Sequence, residues 1–279
     1  MVTAAGGEGI WVRVDHTVED QVVELFARIA QEQGHLDILV NDIWGGDELT
    51  EWGTPFWKHS LSNGLLMLDR AVTAHIITSR YGAPLLVEQK KGLIVEVTDG
   101  HTLAYRGNLY YDQAKTSAIR LAYAMAWDLK GTGVTAVAIT PGFLRSEVVL
   151  EHFGVTEENW RDAIPKDKHF AESETPYFVG RAIAALAADP EVDAKAGQVF
   201  TSGTLAEEYG FDDVDGRRPN WVRHFDGVVT ELVERGAPFD PIERLFLDQR
   251  CSQADFDPFK REEAARIRAL MKPDTEAAP

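Results

Sequence analysis

Three six-residue runs constrain the fold of this chain more than any other feature: Leu36–Asn41 (LDILVN), Gly92–Val97 (GLIVEV) and Val134–Ile139 (VTAVAI). Each is rich in branched apolar residues, and the stretches between them carry helical spacing. Strands that are apolar on both faces and separated by helices belong to a parallel sheet covered on both sides, because parallel neighbours need a crossover of about a dozen residues or more. The expected architecture is therefore α/β, three layers deep, with right-handed β-α-β crossovers. In such sheets ligands bind beyond the carboxyl ends of the strands. Four positions fall there: Asp15, Asn41 to Gly46, Thr98-Asp99, and Thr140-Pro141-Gly142.

The remaining elements follow from local signals. Glycines 6, 7 and 9 lead into the alternating run Ile10-Trp11-Val12-Arg13-Val14, which reads as a strand ending at Asp15. Thr17 is placed to cap a helix with Val22, Phe26 and Ile29 on its apolar stripe, closed by Gly34. Residues 61–89 and 109–130 have helical spacing, Thr175-Pro176 opens another helix, and 197–201 is the last strand. After Gly203 the chain becomes acidic and irregular. Short helices are expected near 220–234 and 241–249, and a terminal helix over 258–272. The organisation expected is a sheet domain over 1–203 and a partly helical extension over 204–279.

Composition limits the function classes. A formal charge of -17, from 28 basic and 45 acidic residues, opposes a nucleic-acid or anionic-membrane partner. No stretch approaches the ~18 consecutive apolar residues of a membrane span. Cys251 is alone, which excludes an intrachain disulfide and fits a reducing cytoplasm. The eight histidines show no metal-ligand spacing, so no metal site is expected, and no nucleophile elbow is present. His101, near the loop before Tyr111, is the one histidine in a suggestive place.

The chemistry-bearing pattern is Tyr111-Asp112-Gln113-Ala114-Lys115. Residues four apart share a helix face, so an ammonium can lie beside the phenol. An adjacent cation favours phenolate and lowers a pKa that starts near 10. A tyrosine so tuned can exchange a proton with a reacting oxygen.

Together these residues resemble the short-chain dehydrogenase/reductase family over roughly residues 5–203. Tyr111 and Lys115 match the family's active-site pair. Asn41 resembles the first residue of its Asn-Asn-Ala-Gly motif, with Gly45 following. Asp15 resembles the aspartate that meets the adenine ring. Pro141, Gly142, Leu144 and Ser146 resemble the segment that holds the nicotinamide. The resemblance implies a Rossmann-like fold and an NAD- or NADP-dependent oxidoreductase acting on a small carbonyl or alcohol, assembled as a dimer or tetramer through the 61–89 and 109–130 helices. Tyr111 would be the general acid/base, and Lys115 would tune it and bind the nicotinamide ribose. The family's serine, about a dozen residues before the tyrosine, is replaced by Thr98-Asp99. Thr98, 13 positions before Tyr111, is the expected hydroxyl, because an ionised Asp99 would repel an oxyanion.

Two further departures stand out. The family's helical asparagine falls near Ala71, which cannot relay protons; Thr73 or His75 is then the nearby substitute. The glycine-rich dinucleotide turn has no counterpart, since Gly6-Gly7-Glu8-Gly9 feeds a strand and not a helix N-terminus. The chain thus opens just before the family's third strand, and its start is expected downstream of that of a full-length member. Residues 10–15 would then lack neighbours, and 36–41 would form an exposed apolar edge. The departures keep two alternatives open: a catalytically inactive binding or assembly protein, and a relative using Tyr–Lys chemistry without a nucleotide.

Overall fold

The computed structural model describes residues 2–271. A four-stranded parallel sheet lies at its centre, made of β1 (Ile38–Asn41), β2 (Gly92–Val97), β3 (Val134–Thr140) and a strand at Val199–Thr201, in that spatial order. Every residue of β3 is buried, the two threonines included, as expected of a central strand covered on both faces. Leu39 pairs with Ile94, and Ile94 with Ala136.

Alternate residues of the sheet feed two cores. On one face Leu39, Ile94, Val134 and Ala136 meet α1 (Glu19–Glu32), α3 (Ala74–Gln89) and α4 (Leu109–Asp128). α4 closes on the strands because Ala114, Ala118, Ala122 and Ala126, four apart, present no bulk. On the other face Leu93, Val95, Val137 and Ile139 meet Ala182 and Leu186 of a helix at Pro176–Ala188, together with Leu205. The expected three layers are therefore present.

β4 (Phe143–Leu144) and β5 (Ser173–Glu174) form a small parallel pair beyond β3, with α5 (Glu147–Phe153) between them. α6 is the Pro176–Ala188 helix, β6 the Val199–Thr201 strand, and α7 runs Ser202–Tyr209. Three helices follow, α8 (Trp221–Arg235), α9 (Pro241–Phe256) and α10 (Arg261–Leu270), around their own core of Phe225, Val229, Leu232, Phe246, Leu247 and Ile267. Leu205, Tyr209 and Phe211 pack with the sheet, so sheet packing continues past residue 203.

Two local expectations are corrected. Residues 10–15 are not a strand: they pair with no strand among the described residues, and Asp15 and His16 are held by side chains, the Asp15 N–H donating to Gln21 Oε1 and His16 bonding Thr78. Alternating residues make a strand only against a partner. Thr17 does not cap α1; its hydroxyl donates to Asp15, and Val18 sits at the helix start without a side-chain cap. β1 is a sheet edge, with Val40 42% exposed, as the order of the sheet requires. The 61–89 helix is α2 (Leu61–Leu68) joined to α3 by a π turn at Asp69–Thr73 that contains the buried Ala71. Such bulges recur at functional sites.

Candidate active site

Strand alternation decides what the end of β2 presents. The Thr98 N–H still donates to Ile139 O (2.9 Å), so Thr98 belongs to the ladder, and its buried side chain turns inward to donate to Lys115 O at 2.7 Å. Asp99 therefore points outward. Gly100, at φ +76°, turns the chain while its N–H donates to Thr140 Oγ1. The loop that follows is gathered by the guanidinium of Arg106, which donates to the carbonyls of Asp99 (2.5 Å), Thr102 (2.7 Å) and Ala104 (3.1 Å) and pairs with Asp112. Asn108 ends the loop as the N-cap of α4, its Oδ1 accepting from the backbone N–H groups of Tyr110 and Tyr111. Tyr111 is thus fixed in the first turn of the helix, facing the strand end.

The Tyr111 hydroxyl donates to Asp99 Oδ2 at 2.8 Å. Trp44 meets the Tyr111 ring edge-on at 5.4 Å, and Trp52 lies at 5.1 Å. Lys115 Nζ sits 3.9 Å over the Trp44 ring and 5.5 Å from the centre of the Tyr111 ring. Burial pushes the phenol pKa well above its ordinary value, and the Asp99 carboxylate pushes the same way through charge and hydrogen bond. Burial pulls Lys115 below the usual lysine range, against the opposing carboxylates of Asp99, Asp42 and Asp47. Sequence spacing pointed to a lysine-lowered tyrosine; the geometry gives a protonated phenol whose proton is directed at a carboxylate.

Beyond β1 a cleft of about 650 Å³ is lined by Arg13, Asp15, His16, Trp44, Gly45 and Arg70, among others. Its wall is set from within. Asn41, fully buried, donates to Ser79 Oγ and Glu96 Oε1, while His75 bonds Glu96 through Nδ1 (2.6 Å) and Ile43 O through Nε2 (3.0 Å). This network anchors the segment that carries Trp44. Gly45, at φ +123°, exposes its carbonyl to Arg70 Nη1 at 2.9 Å. His75 is committed here and does not reach Tyr111.

At the end of β3, the Gly142 N–H donates to Glu174 Oε2 at 2.8 Å. A Cβ at Gly142 would come within 2.8 Å of that oxygen and 2.9 Å of Trp221 Cβ, so only glycine fits. Ser202 Oγ also donates to Glu174 Oε2, and Oε1 has no partner. Burial pushes Glu174 up to about 7. Leu144 lies in β4, and Ser146 caps α5 by accepting from the Val149 N–H. Arg145, between them, is buried and held by Glu157, Asp215 and Ser173 O.

A bound nicotinamide dinucleotide is tested by these surroundings. The cleft offers a carboxylate, Asp15, and two arginines, the pairing that a ribose and phosphates require, and Trp44 joins it to Tyr111. Buried Asn41 Oδ1 has no partner on the same strand end. The charged lining of the cleft fits the ribose and phosphates of such a group, and none of the lining residues supplies a glycine-rich phosphate turn.

The structure brings together Tyr111, Lys115 and Asp99 on one side, and Asp15, Gly45 and Arg70 on the other. It does not bring the Thr98 hydroxyl to Tyr111. Asp99, Arg106 and Glu174 carry no periodic signal in the sequence; the one clue to Asp99 was its place beside Thr98, where a shift of one residue reverses the direction of the side chain. Trp160, Phe143 and Phe153 pack together with Phe170 in a separate aromatic cluster.

The comparisons with known proteins agree with this architecture. The short chain dehydrogenase family model matches residues 2–153. The human dehydrogenase/reductase SDR family member 1 is 34% identical over 217 residues, spanning 76% of this chain and 69% of that protein. A 3-oxoacyl-(acyl-carrier-protein) reductase of Synechocystis sp. is 26% identical over 71% of this chain and 76% of its own length. The solved structure of ElxO with NADP bound superposes with a TM-score of 0.59 at 19% identity, covering 71% of this chain and 78% of that one. With a parallel sheet of this order and a family model that spans more than half its length, the chain belongs to the short-chain dehydrogenase family.

Proposed function

We propose that this chain is a nicotinamide-dependent oxidoreductase that interconverts a small carbonyl and its alcohol, with Tyr111 as the proton-exchanging group. The observation that carries the reading is the placement of Tyr111 and Lys115 on the first turns of α4, with the phenol at the open ends of the parallel strands. The bound nicotinamide would supply or accept the hydride. Asp15, Gly45 and Arg70 would hold its adenosine and phosphate end, and Pro141, Gly142 and Leu144 its other end. Tyr111, kept as a phenol, gives its proton to a carbonyl oxygen in reduction; in oxidation it takes the alcohol proton while its own passes to Asp99 Oδ2. Lys115 stabilises the phenolate that forms transiently. Thr98 acts on the backbone, fixing the turn of α4 that carries Lys115.

NADP is the coenzyme bound by ElxO in its solved structure, and either NAD or NADP is proposed here. None of the described helices is long and apolar enough to cross a membrane. Leu61, Leu65, Tyr123 and Trp127 are exposed on α2 and α4, which supports a homodimer or tetramer through these helices, and a cytoplasmic site of action is proposed with it. The test is Tyr111→Phe. Turnover of any active carbonyl or alcohol should fall at least ~100-fold, the worth of a positioned acid/base, with the thermal unfolding midpoint retained. Turnover within a few-fold of the wild type would refute the role.

A further inference from the structure

Asp99 occupies the place where a carbonyl oxygen needs hydrogen-bond donors, yet it offers only acceptors. Oδ2 is taken by the Tyr111 hydroxyl, and Oδ1 has no hydrogen-bond partner within the described residues. Thr98 is turned away onto Lys115 O, and Lys115 Nζ rests over Trp44. A neutral ketone entering this site would find Tyr111's only proton already engaged by a carboxylate. An ammonium group on the ligand changes that balance. It can donate to the free and exposed Oδ1 of Asp99, weaken the pull of the carboxylate on the phenol, and leave Tyr111 to turn its proton to the neighbouring oxygen of the same molecule.

The walls suit a cation as well. Trp52 lies against Tyr111 and is 58% exposed, so one indole face is open to a ligand, and indole faces attract ammonium groups. Asp42 and Asp47 set negative charge against Lys115, the nearby Arg106 is paired with Asp112, and the molecule as a whole carries -17. We propose that the substrate is an amino alcohol or amino ketone, its ammonium group vicinal to the reacting carbon and read by Asp99 beside the open face of Trp52. The substrate then releases the Tyr111 proton by occupying Asp99. This rests on the reading of Tyr111 as the proton-exchanging group and narrows the substrate class.

The experiment is a binding titration followed by Trp emission, with 2-aminocyclohexanol against cyclohexanol as probes at neutral pH. The wild type should bind the amino alcohol at least tenfold more tightly. Asp99→Asn and Asp99→Ser should both reduce that preference to less than threefold, with unfolding midpoints close to the wild type. Equal affinities in the wild type, or a preference that survives in both variants, would overturn the proposal. Tyr111→Phe separates the two ideas: it leaves Asp99 intact and should keep the tenfold preference. If Tyr111→Phe also keeps turnover, the acid/base reading fails while the cation-reading role of Asp99 stands. If the preference is absent but Tyr111→Phe is inactive, only the substrate class is wrong.

Discussion

At the residue scale, two carboxylates at the strand ends have contrasting surroundings. Asp99 is exposed and directs a proton, whereas Glu174 is buried and holds a backbone. Glu174 accepts from the Gly142 N–H and from Ser202, and its second oxygen is unpartnered, so its charge is poorly compensated and burial raises its pKa to about 7. The folded-state value lies above the ordinary carboxylate value of 4.5. The proton it keeps therefore stabilises the fold fully below about pH 4.5, and that contribution is lost as pH rises through about 7. Across that window the loss is roughly 3 kcal/mol at most. Glu174→Gln keeps an acceptor for Gly142 and carries no charge. Measured by urea unfolding, its stability relative to the wild type should rise between pH 5 and pH 8 by an amount of that order. A difference that does not change with pH would contradict the assignment. Glu174 was not legible beforehand: its sequence neighbourhood reads as a helix start, and only folding places it beneath Gly142.

Among elements, the strands and helices that pack against each other were readable, and those that depend on a distant partner were not. β2 and β3 are apolar on both faces and announce burial on both sides. α4 was marked by the helical spacing of 109–130, and the structure adds its buried alanine stripe and the Asn108 cap. Ile10–Val14 has the alternation of a strand but no partner strand among the described residues, and so forms no regular element. The choice between Thr98 and Asp99 turned on one residue of register, which spacing from Tyr111 cannot resolve but the Thr98–Ile139 hydrogen bond does. The junction of α2 and α4 offers a sharp test of how tightly the Tyr111 turn is seated. A Cβ at Gly64 would lie 2.3 Å from the Tyr110 ring. Gly64→Ala should destabilise the protein by about 1–3 kcal/mol through overpacking, partly offset by alanine's better helix propensity. Denaturant midpoints at constant m-value would show it; an unchanged or higher midpoint would mean that α2 is free to move away.

For the whole molecule, two halves of one site are held by separate frameworks. The sheet and α4 position Tyr111, Lys115 and Asp99, while β1, α3 and the π turn shape the cleft that carries Asp15 and Arg70. α9 braces the first half, since Ser252 Oγ accepts from the Tyr105 N–H in the loop before Tyr111. Trp221 of α8 does the same beside Gly142. Trp44 joins the halves, with one ring edge on Tyr111 and a place in the cleft wall. That position makes it a reporter for the central claim, that a nicotinamide dinucleotide is bound against Tyr111. Titration with reduced dinucleotide, NADH or NADPH, should quench Trp emission saturably and sensitise nicotinamide emission by energy transfer. Tyr111→Phe should leave that signal in place, and a charge-reversing Arg70→Glu should weaken it. The absence of saturable transfer with both dinucleotides would contradict the account.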